Sequence, residues 1–176
     1  MENRGERLAR GDKAAFAELY DACAVRVHHY LAVRLGSRAD ADDVLQETFV
    51  RLARDRQKLA AVENLVAYVF ATARNEATRL IERRGREDRL RTEFSSLTLV
   101  RDVNTADQQD RDNAERVAAL LARLEVPLRE IVELKIFAAL TFREISEVTG
   151  LPQGTVATRY RSALEKMRGQ PAKEWK

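Results

Sequence analysis

The sequence is poor in the residues that form turns and disulfides. Its 176 residues include only seven glycines, three prolines and one cysteine. Sandwiches and barrels need many turn residues, so this scarcity favours a mostly helical protein. The single cysteine, Cys23, excludes an intrachain disulfide and argues against a cysteine-based metal cluster. We expect Cys23 to be a small buried side chain.

Long apolar runs are also missing. The sequence has no stretch of about 20 apolar residues, which is the length that a membrane-spanning helix needs. The N-terminal sequence MENRGERLARGDK lacks the apolar segment of a signal peptide. We therefore expect a cytoplasmic protein with no membrane insertion.

The sequence offers little for catalysis or metal binding. The only histidines, His28 and His29, are adjacent, and neighbours on a helix point about 100° apart, so they cannot form one helical ligand pair. Neither a glycine-rich phosphate loop nor a Ser/His/Asp order worth pursuing is present. We predict that the protein is not an enzyme and has no catalytic residue, metal or cofactor.

Apolar and charged residues are abundant by contrast. Hydrophobic residues make up 45% of the chain, which is enough for a core, and charged residues make up 34%, above the usual quarter. The formal net charge is only +3, but basic residues concentrate at Arg79–Arg86 and Arg159–Arg168. The net charge alone is weak evidence for a nucleic-acid partner.

The first part of the chain has the pattern of three helices. Asp12 is a cap for the first, whose apolar residues recur at three- and four-residue steps until Gly36 ends it. Ser37 begins the second helix, and Asn64 can cap the third. The stretch Asp55–Glu63 has little periodicity and is interpreted as a loop.

The last part of the chain is again helical. It starts near Asn113, and Pro127 suits the first turn of a helix. Thr141 and Glu144 form a capping box for a short helix that ends at Gly150. We expect the final helix after Gly154. The middle of the chain is polar apart from one apolar patch. That patch consists of Phe94, Leu97, Leu99 and Val100.

These patterns predict an all-α fold of two small helical domains joined by a polar linker. The predicted domains are residues 10–86 and 113–170, and the predicted linker is residues 87–112.

The segment Thr141–Met167 has the pattern of a helix-turn-helix. Its second helix has one apolar side, and its other side carries residues that can donate hydrogen bonds to bases or phosphates. Those residues are Gln153, Thr155, Thr158, Arg159, Arg161 and Ser162. The alternative is a helical hairpin with a solvated polar face.

Leu140–Arg168 resembles region four of the sigma-70 family of transcription initiation factors. It has the family's short helix, small turn and G-T-V recognition helix. Ser146 stands where the family usually has Ala and Thr158 where it usually has Ser, and both replacements are small.

Two earlier segments are similar to region two of the same family. Asp40–Leu52 resembles the family's D-A-E-D-L-V-Q-E-T-F sequence, and Tyr68–Asn75 resembles W-L-Y-x-I-A-R-N, with Tyr68 in place of Trp. Three matches in order, without the other sigma regions, indicate the small extracytoplasmic-function (ECF) type. The resemblance implies binding to core RNA polymerase and promoter DNA, with an anti-sigma factor as a further partner.

The resemblance also implies roles for particular residues. Core-polymerase binding is expected of Asp43, Gln46, Glu47 and Thr48. Binding of the minus-ten element is expected of Lys58, Asn64, Arg74, Asn75, Arg79, Arg83 and Arg84. The outward residues of the helix-turn-helix are expected to contact the minus-thirty-five element.

Simpler interpretations remain open for several of these residues. Asp40, Asp42 and Asp43 could merely favour a helix N-terminus. Asn64 could be only a helix cap. For the whole protein, the alternatives are a dimeric helix-turn-helix regulator that works without polymerase and a helical adaptor that binds only proteins.

Overall fold

The chain is described by a computed structural model that covers residues 3–91 and 116–169, with the side chains of residues 87–91 left out. Every regular element in those two ranges is helical, which confirms the predicted all-α class. The described residues fall into two compact units, called here the first unit (3–91) and the second unit (116–169). Most of the predicted linker, with its apolar patch around Phe94, lies outside the described residues. The predicted domain bounds stay predictions.

The first unit contains four α-helices and one 3-10 turn. The helices are α1 (Arg4–Ala9), α2 (Lys13–Leu35), α3 (Arg38–Arg54) and α4 (Leu65–Arg91), and the turn is Arg56–Ala61. The predicted loop before α4 is therefore partly helical. In addition, α4 continues to Arg91, past residue 86, the predicted end of the first domain.

Side-chain caps start these helices where the sequence predicts them. Asp12 accepts hydrogen bonds from the amides of Ala14 and Ala15, at 2.9 and 3.2 Å. Ser37 accepts one from the amide of Asp40 at 3.3 Å. Because Gly36 has φ of +66°, it ends α2 in the left-handed conformation that glycine adopts without strain.

The core of the first unit lies where α2, α3 and α4 meet. Tyr30, Leu31 and Phe70 are fully buried, and the rings of Tyr30 and Phe70 meet edge to face with centroids 6.1 Å apart. Ala73 and Ala77 lie on the buried side of α4 and have no exposed surface. Cys23 is buried as predicted, and its burial raises the pKa of the thiol.

Helix α1 was not predicted from the sequence. Asn3 caps it in a capping box with Glu6. The one large apolar side chain of the helix, Leu8, is fully buried. A single leucine gives no helical period, so only the Asn3 and Glu6 spacing could have indicated the helix. The first unit thus begins before residue 10, the predicted start of the first domain.

The second unit is a sequence of short helices. Residues 116–122 form α5, Val126–Val132 forms α6, and α6 continues into a π-helical turn at Glu133–Phe137. Two further helices follow, α7 (Phe142–Thr149) and α8 (Gln153–Arg168). Pro127 lies in the first turn of α6 as predicted. Helix α8 begins earlier than expected, since Gly154 is already inside its first turn.

A small apolar core holds the second unit together. Ile131, Leu134, Leu140, Ile145 and Val156 have no exposed surface and come from α6, the π-helical turn, the segment before α7, α7 and α8. This core fixes α7 and α8 against α6. The surface of α8 is thereby held on a rigid support.

Candidate DNA and polymerase interfaces

Helices α7 and α8 form the predicted helix-turn-helix. Thr141 and Glu144 complete a reciprocal capping box, in which the Glu144 amide donates to the Thr141 hydroxyl at 3.2 Å and the Thr141 amide donates to the Glu144 carboxylate at 2.7 Å. Gly150 ends α7 with φ of +71°. The rings of Phe142 and Tyr160 meet with centroids 5.5 Å apart, which joins the start of α7 to the middle of α8.

The inward side of α8 is the one predicted. Val156 and Ala163 are fully buried, and Tyr160, Leu164 and Met167 are half-buried. Five helix positions at steps of four, three, one and three therefore face the second unit. The remaining circumference of α8 is accessible to another molecule.

The predicted DNA contacts on α8 lie on this accessible side and at the start of the helix. Thr155 and Arg159 are four residues apart, as are Thr158 and Ser162, so each pair shares one side of the helix. Thr158, Gln153 and Arg161 are exposed, and the other three are half-buried. The Thr158 hydroxyl already donates to the Gly154 carbonyl at 2.9 Å. Its oxygen is left to accept a further hydrogen bond.

The predicted polymerase contacts on α3 divide into two groups. Asp43, Gln46 and Glu47 are exposed. Thr48 is fully buried, and its hydroxyl donates to the Val44 carbonyl at 2.7 Å. The prediction that Thr48 contacts polymerase at the surface is therefore wrong. Its position four residues after Val44 puts it on the inward side, and the carbonyl satisfies the hydroxyl there.

The predicted minus-ten residues lie on α4 and on the turn before it. Asn75, Arg79 and Arg83 are exposed and follow one another at steps of four, so they form one stripe about 12 Å long on α4. Arg74 is half-buried beside this stripe. Asn64 accepts a hydrogen bond from the Ala67 amide at 3.1 Å, which confirms its role as a cap.

Carboxylates contact several of these cations. Lys58 lies 3.5 Å from Asp55 and Arg79 lies 2.8 Å from Glu76, which also pairs with Arg51 of α3. Both carboxylates are close in sequence to their cation. The three- and four-residue spacing of helix partners could therefore have indicated them, and our sequence reasoning missed them.

Asp40 of α3 holds Arg84 of α4 from much farther away in sequence. Two nitrogens of the Arg84 guanidinium donate to the two oxygens of Asp40, at 2.6 and 2.5 Å. The Asp40 side chain is only 16% exposed. These hydrogen bonds hold the pKa of the Asp40 carboxyl below its ordinary value, against the opposing effect of burial. No sequence signal connects two residues so far apart.

We predict that Asp40→Asn lowers the free energy of unfolding by about 1 kcal/mol at neutral pH. The pKa of Asp40 is lower in the folded than in the unfolded protein. Its contribution is therefore complete above the unfolded value of about 3.9 and is lost as pH falls through the folded value. Urea unfolding across this pH range, followed by circular dichroism, measures the difference between wild type and variant.

The matched control is Asp43→Asn, which neutralises an exposed carboxylate on the same helix. It should change stability little at any pH. An Asp40→Asn deficit that persists undiminished in acid would contradict the role assigned to the Arg84 pair.

Across the part of the chain that the structure describes, no three His, Cys, Asp or Glu side chains gather into a group that could hold a metal ion. Within the same residues, no helix is both long enough and apolar enough to cross a membrane.

Comparison with known families decides between the candidate classes. The model of sigma-70 region 2 matches residues 19–87, and the model of sigma-70 region 4 matches residues 114–167. Together the two models match more than half of the chain. The chain belongs to the sigma-70 family. The region 2 match contains α3 and most of α4, and the region 4 match contains the helix-turn-helix segment Thr141–Met167 of this sigma-70 protein.

Individual relatives place this sigma-70 protein in the ECF group. The ECF RNA polymerase sigma factor RpoE of Cereibacter sphaeroides is 29% identical over 158 residues, which are 89% of this chain and 86% of that protein. The family consists of transcription initiation factors. The predicted family and ECF type are thereby confirmed.

Two solved structures share the fold. One is CnrH in complex with the cytosolic domain of CnrY, with a TM-score of 0.72, 22% identity and coverage of 94% of this chain and 92% of that one. The other is the sigma factor RpoE of Bartonella quintana in complex with the anti-sigma factor NepR. It has a TM-score of 0.68, 18% identity and coverage of 90% and 95%.

Proposed function

We propose that this protein directs core RNA polymerase to particular promoters through three surfaces. These are the exposed part of α3 for polymerase, the stripe on α4 for the minus-ten element, and the outward side of α8 for the minus-thirty-five element. The observation that carries the proposal is the presence of sigma-70 regions 2 and 4 in one chain, in that order.

The α3 surface suits a basic protein partner. Asp43, Gln46 and Glu47 offer two carboxylates and an amide from one exposed stretch of helix. Carboxylates on a rigid helix steer a partner of opposite charge and fix its register. We propose that the partner is a basic coiled coil of the large catalytic subunit of RNA polymerase.

The α4 stripe suits a nucleic-acid strand. Arginines at steps of four can follow a phosphate backbone along the helix, and Asn75 adds donors and an acceptor for a base. Opening of the duplex requires that a single strand be held better than the double strand. We propose that the stripe and the turn before α4 together hold the non-paired minus-ten bases.

The α8 surface suits the major groove of duplex DNA. A recognition helix enters the groove and presents side chains to the base edges. Arg159 can address guanine with two hydrogen bonds, and the threonine and glutamine side chains are adaptable. We propose that this helix reads the minus-thirty-five element.

We propose that the protein works in the cytoplasm, that nucleotide polymerisation belongs entirely to its partner, and that an anti-sigma factor holds it inactive. The sigma factor RpoE of Bartonella quintana, which shares the fold, forms a complex with such a factor. Co-expression with a candidate anti-sigma protein and inhibition of transcription would test the last proposal.

Run-off transcription from a promoter library is the most direct test of the function. We expect that the purified chain binds core polymerase and that the complex starts transcription at a restricted set of promoters. Neither event should require a second transcription factor. A chain that leaves polymerase unbound, or start sites unchanged, would contradict the proposal. A tight complex of the chain alone with a palindromic duplex would instead favour a dimeric regulator.

We predict that Glu47→Lys weakens binding to core polymerase by about tenfold, because it replaces an attraction with a repulsion at the partner surface. Asp21→Lys makes the same charge change at an exposed position of α2 and serves as the control. Competition between labelled wild type and each variant for core polymerase measures the effect. Equal affinities of the two variants would contradict the assignment of α3.

A further inference from the structure

Helix α1 lies directly against the 3-10 turn that precedes α4. Leu8 of α1 and Leu59 of the turn are both buried. Gly5 is also buried, and a β-carbon on it would overlap the Leu59 carbonyl oxygen and lie 3.6 Å from the α-carbon of Ala60. The backbones of the helix and the turn therefore touch at a position where only glycine fits.

Several contacts fix α1 in this place. The Asn3 side chain accepts a hydrogen bond from the Gly5 amide at 3.3 Å, and the Asn3 backbone amide donates to the Glu6 carboxylate at 3.1 Å. Arg7 donates to Asp12, the cap of α2, at 2.7 Å. These contacts tie both ends of a six-residue helix, which is too short to be stable alone. The helix can thus hold the turn in a defined position.

The turn occupies a sensitive place in the proposed minus-ten surface. It carries Lys58, and it leads within a few residues to Asn64 at the start of α4. Any shift of the Leu59 carbonyl moves the backbone on which Lys58 is mounted. The region 2 match begins at residue 19, so α1 lies outside the segment that defines the family.

We propose that α1 positions the turn Arg56–Ala61 for contact with the minus-ten element, and that Gly5 is the residue that sets the distance between helix and turn. The inference rests on the proposed function of the turn. Gly5 itself contacts no DNA in this proposal. It acts through the backbone of Leu59 and Ala60, so it is a positioning residue.

The variant Gly5→Ala tests the proposal in the assembled holoenzyme. Its β-carbon forces helix and turn apart, and we expect a loss of about tenfold in opening of a duplex promoter, since small misplacements at a site have large effects. Preference among promoters that differ at single minus-ten bases should change as well. Affinity for core polymerase should stay at the wild-type level, because the exposed residues of α3 are untouched.

The control is Arg4→Ala, which removes an exposed ion pair with Glu18 and leaves the Gly5 and Leu8 contacts in place. It should open promoters like the wild type. A second test variant, Asn3→Ala, removes the cap and introduces no clash. It should change minus-ten preference in the same direction as Gly5→Ala, and it decides the matter if Gly5→Ala fails to fold.

The outcomes separate this inference from the proposed function. A wild-type holoenzyme that does not initiate at promoters contradicts the function itself. A working wild type, together with a folded Gly5→Ala protein that keeps its opening rate and base preference, overturns only the role of α1. Loss of polymerase affinity in parallel with opening would also overturn it, because the defect would then be general.

Discussion

Replacement of Phe70 with alanine should lower the free energy of unfolding of the first unit by about 3–5 kcal/mol. The ring is fully buried at the meeting point of α2, α3 and α4, and it contacts Tyr30 edge to face. Its loss removes the apolar burial of the ring and leaves a cavity, because the surrounding helices are fixed by other contacts. Such a change is a large part of the stability of a small domain.

Hydrogen exchange read by mass spectrometry measures this effect for each unit separately. Peptides from α2 and α4 should exchange much faster in Phe70→Ala, while peptides from α8 should keep the wild-type rate. The control is Ile81→Ala, which shortens a 45% exposed apolar side chain on the same helix. It should change protection in α4 only slightly. Similar losses of exchange protection in both variants would contradict the placement of Phe70 in the core.

Arg159→Ala should have the second large effect, this time on promoter choice. A lost base contact from the recognition helix costs about 1–3 kcal/mol and relaxes the preference at one promoter position. Arg159 lies on the accessible side of α8 and four residues from Thr155, so the two can reach neighbouring base pairs. Arg159 is not part of the buried core of the second unit, so we expect the fold to be unchanged.

Run-off transcription on a library randomised across the minus-thirty-five element measures the preference. Arg143→Ala is the control, because it removes an exposed cation of α7 that pairs with Glu147. The control should keep the base preference of the wild type. If Arg159→Ala loses activity but keeps its base preference, the residue contacts a phosphate and not a base. If the variant keeps both the activity and the base preference of the wild type, the residue is not part of the interface.

The limits of most helices could be predicted because they depend on neighbouring residues. Asp12, Ser37, Asn64 and Thr141 each accept a hydrogen bond from an amide two or three positions ahead. Gly36 and Gly150 end helices in a conformation that few other residues adopt, and both are readable from the sequence. The apolar side of α8 followed from the helical period alone.

Features that depend on distant residues could not be predicted in the same way. Helix α1 depends on packing against the 3-10 turn and α2, since its own sequence supplies one buried leucine. The pairing of Arg84 with Asp40 joins two helices through the fold. The burial of Thr48, by contrast, was readable, because Val44 and Leu52 lie four residues before and after it.

The α4 cations that already have carboxylate partners have a consequence for the thermodynamics of promoter binding. Arg79 and Arg84 face Glu76 and Asp40 in the free protein. When such an arginine turns to a phosphate, DNA releases a condensed counterion, but the abandoned carboxylate attracts a cation from solution. Fewer ions are therefore released than the number of phosphate contacts. Promoter affinity should fall less steeply with ionic strength than the count of basic residues on α4 suggests.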